Sequence, residues 1–434
     1  MKNGRARIIA TGVVMVSIGS VALGMALTTA QATSVVVTDR FAGATRYDTA
    51  RLIGDSTPKG AATPTFGAPT SAVLVSGDNF PDALAASFLA GSYQSPTFLT
   101  SRDTLRDEAV TGLKTLGVKN VTVVGGADAV AANQDAQLSA DGFTVKRIAG
   151  DTRDSTAAMV AEASGTTVSD YRGQGLTALV ANDSPSHYVD ALAGGPMSWV
   201  GHYPMLLTGT DTLSPEAQGA LSTLKIKHVV ILGGTTAVSS AVESSVSSMG
   251  ITTERLQGDD RQLTAVAIAN AEHQYLNFAL AHVTLAVGNN FPDALAGGPY
   301  GGIVKAPILL TSDPNTLSTE TKTFLVANDG TVNQITVFGG TNAVSDAVLH
   351  EAAGDASCNG GKNLVGGGVT TTSGGGGLLG APVRNAAVTT TTAFTGSTTS
   401  TSLPPCTTTT TAPAATSTTA ANSGSTTTAG LLGL

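Results

Sequence analysis

Arg40-Phe-Ala-Gly-Ala-Thr-Arg46 returns in the same chain as Arg147-Ile-Ala-Gly-Asp-Thr-Arg153 and again as Arg255-Leu-Gln-Gly-Asp-Asp-Arg261, at intervals of 107 and 108 residues. Three further segments keep the same order. Asp82-Ala-Leu-Ala recurs at Asp190 and Asp293, and Pro96-Thr-Phe-Leu-Thr recurs at Pro204 and Pro307. Val121-Thr-Val-Val-Gly-Gly recurs at Val229 and Ile335. A period this long exceeds that of a solenoid repeat, so each copy is expected to be a small domain with its own core.

Within a copy, short β-rich runs alternate with Ala-rich amphipathic stretches. Asp103-Thr104, Ser214-Pro215-Glu216 and Ser318-Thr319-Glu320 are helix-start signals. Pro81 suits a first helical turn, where a missing N–H does no harm. Strand and helix in alternation mean βαβ units on a parallel sheet. The expected fold is α/β: three tandem doubly wound parallel-sheet modules over 33–142, 143–250 and 251–354.

Outside the copies the composition changes. Lys2, Arg5 and Arg7 precede an apolar run, Ile8 to Leu27, and Ala30-Gln31-Ala32 follows as a small-x-small cleavage site, so residues 1–32 read as a signal peptide. An uncleaved anchor is the competing reading of that run. Residues 355–434 read as a disordered Gly/Thr-rich tail. Between 389 and 428 there are 19 Thr and 6 Ser, with too little apolar surface to offset chain entropy. Both cysteines, Cys358 and Cys406, fall in that tail, where an oxidising exterior would let them pair.

Charge narrows the partner. Residues 33–354 hold 18 Lys and Arg against 30 Asp and Glu, a net charge of −12. That argues against nucleic acid, which calls for a basic stripe. No catalytic constellation recurs: copy one has no histidine, and no His-Glu-x-x-His, Gly-x-Ser-x-Gly or Cys-x-x-Cys occurs. Neither catalytic residues, a metal site nor a cofactor are expected.

The candidate binding residues are the ones that repeat. Arg40 and Arg46, Arg147 and Arg153, and Arg255 and Arg261 flank a strand-to-helix turn, whose open N–H groups favour an anion. Guanidinium forks suit phosphate or carboxylate. A structural Arg–Asp pair tying neighbouring modules, with Asp151 or Asp259 for instance, explains the same pattern equally well. Asp82, Asp190 and Asp293 stand in a helix first turn, where capping or ligand contact would each account for a carboxylate. Gly125-Gly126, Gly233-Gly234 and Gly339-Gly340 allow a tight turn or an anion cradle.

Together these motifs resemble the cell wall-binding repeat 2 family of bacterial surface proteins. Arg-x-x-Gly-x-x-Arg-x-x-Thr-Ala, Asn-Phe-Pro-Asp-Ala-Leu-Ala (79–85, 290–296), Pro-Ile-Leu-Leu-Thr (307–311) and the Gly-Gly-x-x-Ala-Val runs carry the likeness over about 33–354. Copy two departs from it at Ser186 to Val189. The resemblance implies a pseudo-trimer of modules on the cell surface, held non-covalently to an anionic secondary wall glycopolymer or peptidoglycan. It implies no membrane partner once the signal is cleaved. The acidic balance then demands either arginines focused at the seams or divalent cations bridging the two partners.

Overall fold

The computed structural model describes residues 36–56, 69–79, 81–163, 165–184, 187–289, 292–357 and 364–366. The expected signal peptide, Cys358 and Cys406 lie outside them.

The first repeat runs β1 (Val36–Phe41), α1 (Arg46–Asp55), β2 (Ser71–Ser76), α2 (Pro81–Tyr93), β3 (Thr97–Thr100), α3 (Asp107–Leu116), β4 (Asn120–Val124) and α4 (Asn133–Ala140). The second runs β5 (Thr144–Ile148), α5 (Arg153–Ala161), β6 (Thr177–Asn182), α6 (Val189–Leu192), α7 (Gly195–Gly201), β7 (Met205–Thr208), α8 (Pro215–Thr223), β8 (His228–Leu232) and α9 (Ser240–Ser248). The third runs β9 (Thr252–Leu256), α10 (Arg261–Leu276), β10 (His282–Val287), α11 (Pro292–Val304), β11 (Ile308–Thr311), α12 (Thr319–Ala327), β12 (Gln334–Phe338) and α13 (Asp346–Asp355). A three-residue β13 (Leu364–Gly366) follows.

Local chemistry sets the helix starts. Thr45, Thr152 and Asp260 cap α1, α5 and α10 by accepting from Asp48 N, Ser155 N and Leu263 N. The second arginine of each motif is therefore the first helical residue.

All named strand pairs are parallel. The sheets read β3-β2-β4-β5, β7-β6-β8-β9 and β11-β10-β12-β1-β13, so the chain winds outward in both directions from β2, β6 and β10. Repeat and sheet are offset by one strand. β5 opens the second repeat but completes the first sheet, and β9 does the same for the second. β1 closes the cycle by lying on β12, with Val37 opposite Gln334 and Phe41 opposite Phe338. Its aromatic ring stacks on Phe338 and meets Tyr300 edge-on. The tail departs from expectation at its start. Asp355, Ala356 and Ser357 are buried with α13, and β13 adds a short edge beside β1.

Each sheet serves two cores. On β2, Ala72 and Leu74 face a private cluster under α3, whereas Val73 and Val75 join a cluster shared by all three modules. β6 divides the same way, Ala178 and Val180 outward against Leu179 and Ala181 inward. Burial on both faces is why these strands read as continuous apolar runs. The shared core is centred on α2, α7 and α11. Ser87, Gly195 and Gly298, each five residues past its repeat's aspartate, meet there. A Cβ on Gly195 would lie 2.9 Å from Gly298 Cα, and one on Gly298 would lie 2.7 Å from Ser87 Oγ. Only small residues let three helices approach this closely, and they make the pseudo-trimer one packed body.

Candidate functional site

The repeated motifs converge where one module meets the next. Gly125 follows β4 with φ +115°, and a Cβ there would lie 2.6 Å from Asp82 Oδ2. Gly233 and Gly339, at +108° and +104°, stand against Asp190 and Asp293 in the same way. Positive φ and a carboxylate in van der Waals contact both demand glycine. The anion at this turn is thus the chain's own aspartate. Gly126, Gly234 and Gly340 carry no such constraint and lie on the open side of the turn.

The next repeat supplies the other wall. Thr156 on α5 hydrogen-bonds Asp82, and Thr264 on α10 hydrogen-bonds Asp190. Each threonine Oγ1 also accepts from the motif glycine, Gly150 N or Gly258 N, at 3.1 Å. Arg153, Arg261 and Arg46 carry the charge facing Asp82, Asp190 and Asp293. Each donates to a carbonyl just past the central strand of its own module: Arg46 to Gly77 O, Arg153 to Asp183 O and Arg261 to Gly288 O, at 2.7, 2.6 and 2.8 Å. These are the carboxyl ends of parallel strands, where open α/β sheets bind ligands.

The first arginine of each motif does different work. Arg147 grips both carboxylate oxygens of Asp135 at 2.9 and 2.6 Å and donates to the carbonyls of Gly125 and Val130. Arg255 spans Gly233 O and Glu243, and Arg40 spans Gly339 O and Asp346. These three lock the exchanged strand onto the preceding sheet. Their partners are on α4, α9 and α13 rather than at Asp151 or Asp259, because the strand belongs to the earlier module.

Electrostatics divides the seams. Burial raises the pKa of Asp82 and Asp190, against the opposing pull of their threonine and arginine neighbours. Burial pushes Asp293 up to about 6. The seam between the first two modules opens into a cleft of about 1110 Å³ lined by Asp82, Asp128, Asp151, Asp154, Asp183 and Glu216, with Arg153 the single cation among its lining residues. Burial first, then Asp183 and Glu216, push Asp154 up to about 6 there. The next seam holds about 260 Å³, lined by Asp190, Asp259, Asp260, His187 and Arg261 among others.

Comparison with known proteins gives this geometry a context. Residues 40–134, 147–243 and 255–349 match the family described as Cell wall binding domain 2 (CWB2). The chain belongs to it. N-acetylmuramoyl-L-alanine amidase LytC of Bacillus subtilis is 31% identical over 312 residues, which is 72% of this chain and 57% of LytC. The Amidase enhancer of the same organism is 30% identical over 277 residues, 64% of this chain and 35% of that protein. The chain therefore spans little more than half, or about a third, of the length of these relatives. Cwp6 and Cwp8 from Clostridium difficile share the fold, with TM-scores of 0.64 and 0.61 at 22% and 24% identity. They align with 77% and 74% of this chain and 49% and 51% of their own. The CWB2 assignment makes this a cell wall or cell surface protein with three wall-binding modules.

Sequence reasoning passed over two groups. Thr156 and Thr264 recur within the motif, and their spacing from the arginine already places them on the same helix face. Arg102 and Arg106 do not recur, so a search for repeated residues discards them.

Proposed function

We propose that this CWB2 chain is exported and attaches non-covalently to an anionic secondary wall polymer, acting by attachment rather than catalysis. The observation that carries the reading is the threefold seam: Arg46, Arg153 and Arg261 at strand carboxyl ends, beside the open glycines Gly126, Gly234 and Gly340. Asp82, Asp190 and Asp293 serve by orienting the seam, and Arg40, Arg147 and Arg255 by bracing the strand behind it. A repeating polymer that reaches a second seam binds it intramolecularly, which raises avidity without new chemistry. Divalent cations bridge the polymer to the acidic cleft of the first seam. The full chain should sediment with Gram-positive cell walls and stay in the supernatant once acid or hydrofluoric extraction has stripped the secondary polymers. Undiminished sedimentation with stripped walls would remove the proposal.

A further inference from the structure

The three seams are built from one motif, yet the module faces beside them differ in charge. Hydrogen bonding fixes which positions correspond. The carbonyl of Arg102 accepts from Ala131 N, that of Thr210 from Ser239 N and that of Pro314 from Ser345 N. Arg106, Ser214 and Ser318 occupy the N-cap positions of α3, α8 and α12. Only the first module therefore places arginines at these two positions, past β3 and beside the end of β2 that the Arg46 side chain contacts.

These arginines are held in a defined arrangement. The Tyr47 ring lies over Gly77, where a Cβ would come within 2.7 Å of it. The Arg106 guanidinium stacks over that ring at 4.6 Å and pairs with Glu108 at 3.2 Å. Tyr47 donates to Asp78 at 2.5 Å, and the other oxygen of Asp78 accepts from Arg102 N at 2.9 Å. A chain of contacts thus runs from Arg106 through Tyr47 and Asp78 to the Arg102 loop. The Arg102 side chain is 53% exposed, and its carboxylate neighbours Asp103 and Asp128 are 76% and 105% exposed, at 3.3 and 3.6 Å. Ion pairs so open contribute little to stability. An incoming anion can displace them at little cost. At the position of Tyr47 the second module has Asp154, which faces Asp183 and Glu216.

Resting on the wall-polymer reading, we infer that the modules are unequal and that the first one holds the polymer's anionic groups. Arg102 and Arg106 form, with Arg46, a binding face that the other two modules lack. The groups recognised are phosphates or carboxylates spaced along a chain, both of which suit guanidinium.

The test uses the full chain and intact Gram-positive walls. Arg102→Gln should weaken wall binding several-fold. Arg102→Gln with Arg106→Gln should weaken it tenfold or more and lower the slope of log K against log salt by about two. Lys225→Gln with Lys227→Gln removes the same charge from exposed positions before β8, at the opposite end of a sheet, and should change neither. Arg102 is exposed, so its single variant keeps the test meaningful even if loss of the Arg106 stacking loosens the loop. Competition with polyphosphate and with polygalacturonate separates the two anions: displacement by either supports the face, and displacement by neither overturns it. If the double arginine variant binds like the parent while acid-stripped walls no longer bind, the wall-polymer reading stands and the first-module face is wrong. If stripping the walls has no effect on the parent, both fall together.

Discussion

Replacing Arg40 by alanine should loosen the module at the far end of the chain from it. The Arg40 side chain is 3% exposed and reaches Gly339 O at 2.9 Å and the Asp346 carboxylate at 3.0 Å. The bond to Gly339 O is buried and has a charged donor, a class worth roughly 1.5–3 kcal/mol. Asp346 is 59% exposed, so its pairing adds less than about 1 kcal/mol. Against this stands the cost of burying the guanidinium, which lowers its pKa despite Asp346. A net loss of about 2 kcal/mol follows, equivalent to roughly thirtyfold in an opening equilibrium. Amide hydrogen exchange reads such local openings directly. Protection should fall in His282–Val287 and Gln334–Phe338, and remain at the parent level in Ser71–Ser76 and Asn120–Val124. Arg147→Ala should do the reverse, exposing Asn120–Val124 although Arg147 opens the second repeat. Loss of protection in the first sheet on replacing Arg40 would refute strand exchange as the source of the coupling.

Two further perturbations probe the packing around the shared core. Gly91→Ala drives a Cβ to within 2.4 Å of Trp199 O on the next module, so overpacking should exceed the helix-propensity gain and cost about 1–2 kcal/mol. Gly219→Ala, in α8 with nothing within 4 Å, should instead stabilise by up to about 1 kcal/mol; calorimetric midpoints moving in the same direction would contradict the close module contact. Glu272 is 0% exposed, and neither carboxylate oxygen makes a hydrogen bond, although the backbone of Met197 lies near enough to favour the charge slightly. Burial raises its pKa well above the ordinary carboxyl value, so the folded state holds this proton more tightly than the unfolded chain. Its contribution is then fully present below about pH 4 and is lost as pH rises through the folded value. Glu272→Met should gain about 1–3 kcal/mol at neutral pH and progressively less towards pH 4, and a midpoint shift independent of pH would count against a buried proton.

Much of this molecule is legible in its sequence because each repeat writes its own periodicity. The apolar runs at 72–75, 178–181 and 285–287 announce doubly covered parallel strands, and the glycine pairs announce the turns that follow β4, β8 and β12. The exchange of the first strand is not legible. Which sheet accepts Thr144–Ile148 depends on a free edge beside β4, a tertiary fact with no local signature. Its polar alternation, with Thr144 and Lys146 exposed and only Ile148 fully buried, reports just that it sits at an edge. The seam suffers from the same gap. Asp82 and Arg153 are 71 residues apart, and the motif shows that both recur without showing that each aspartate meets the following repeat's arginine. Repetition suggests an Arg–Asp tie between neighbouring modules, but closeness in sequence points to acids such as Asp151. The fold assigns the arginine to the neighbour.

The net charge of −12 over the repeats is less of an obstacle to an acidic partner than the total implies. At physiological ionic strength the screening length is about 8 Å, so a bound anion responds to groups near it rather than to the whole surface. The cleft between the first two modules has Arg153 as the single cation among its lining residues, against six carboxylates, whereas the first-module face brings three cations, Arg46, Arg102 and Arg106. Threefold repetition and local charge therefore serve separate ends. Repetition builds a rigid body whose strand ends lie at three seams around a small-residue core. In the proposed function, substitutions confined to one repeat decide which seam takes an anion unaided and which needs a cation between. Repeats that remained identical would present the same acidic motif three times; on the proposed reading, divergence at Tyr47, Arg102 and Arg106 gives the polymer a place to start.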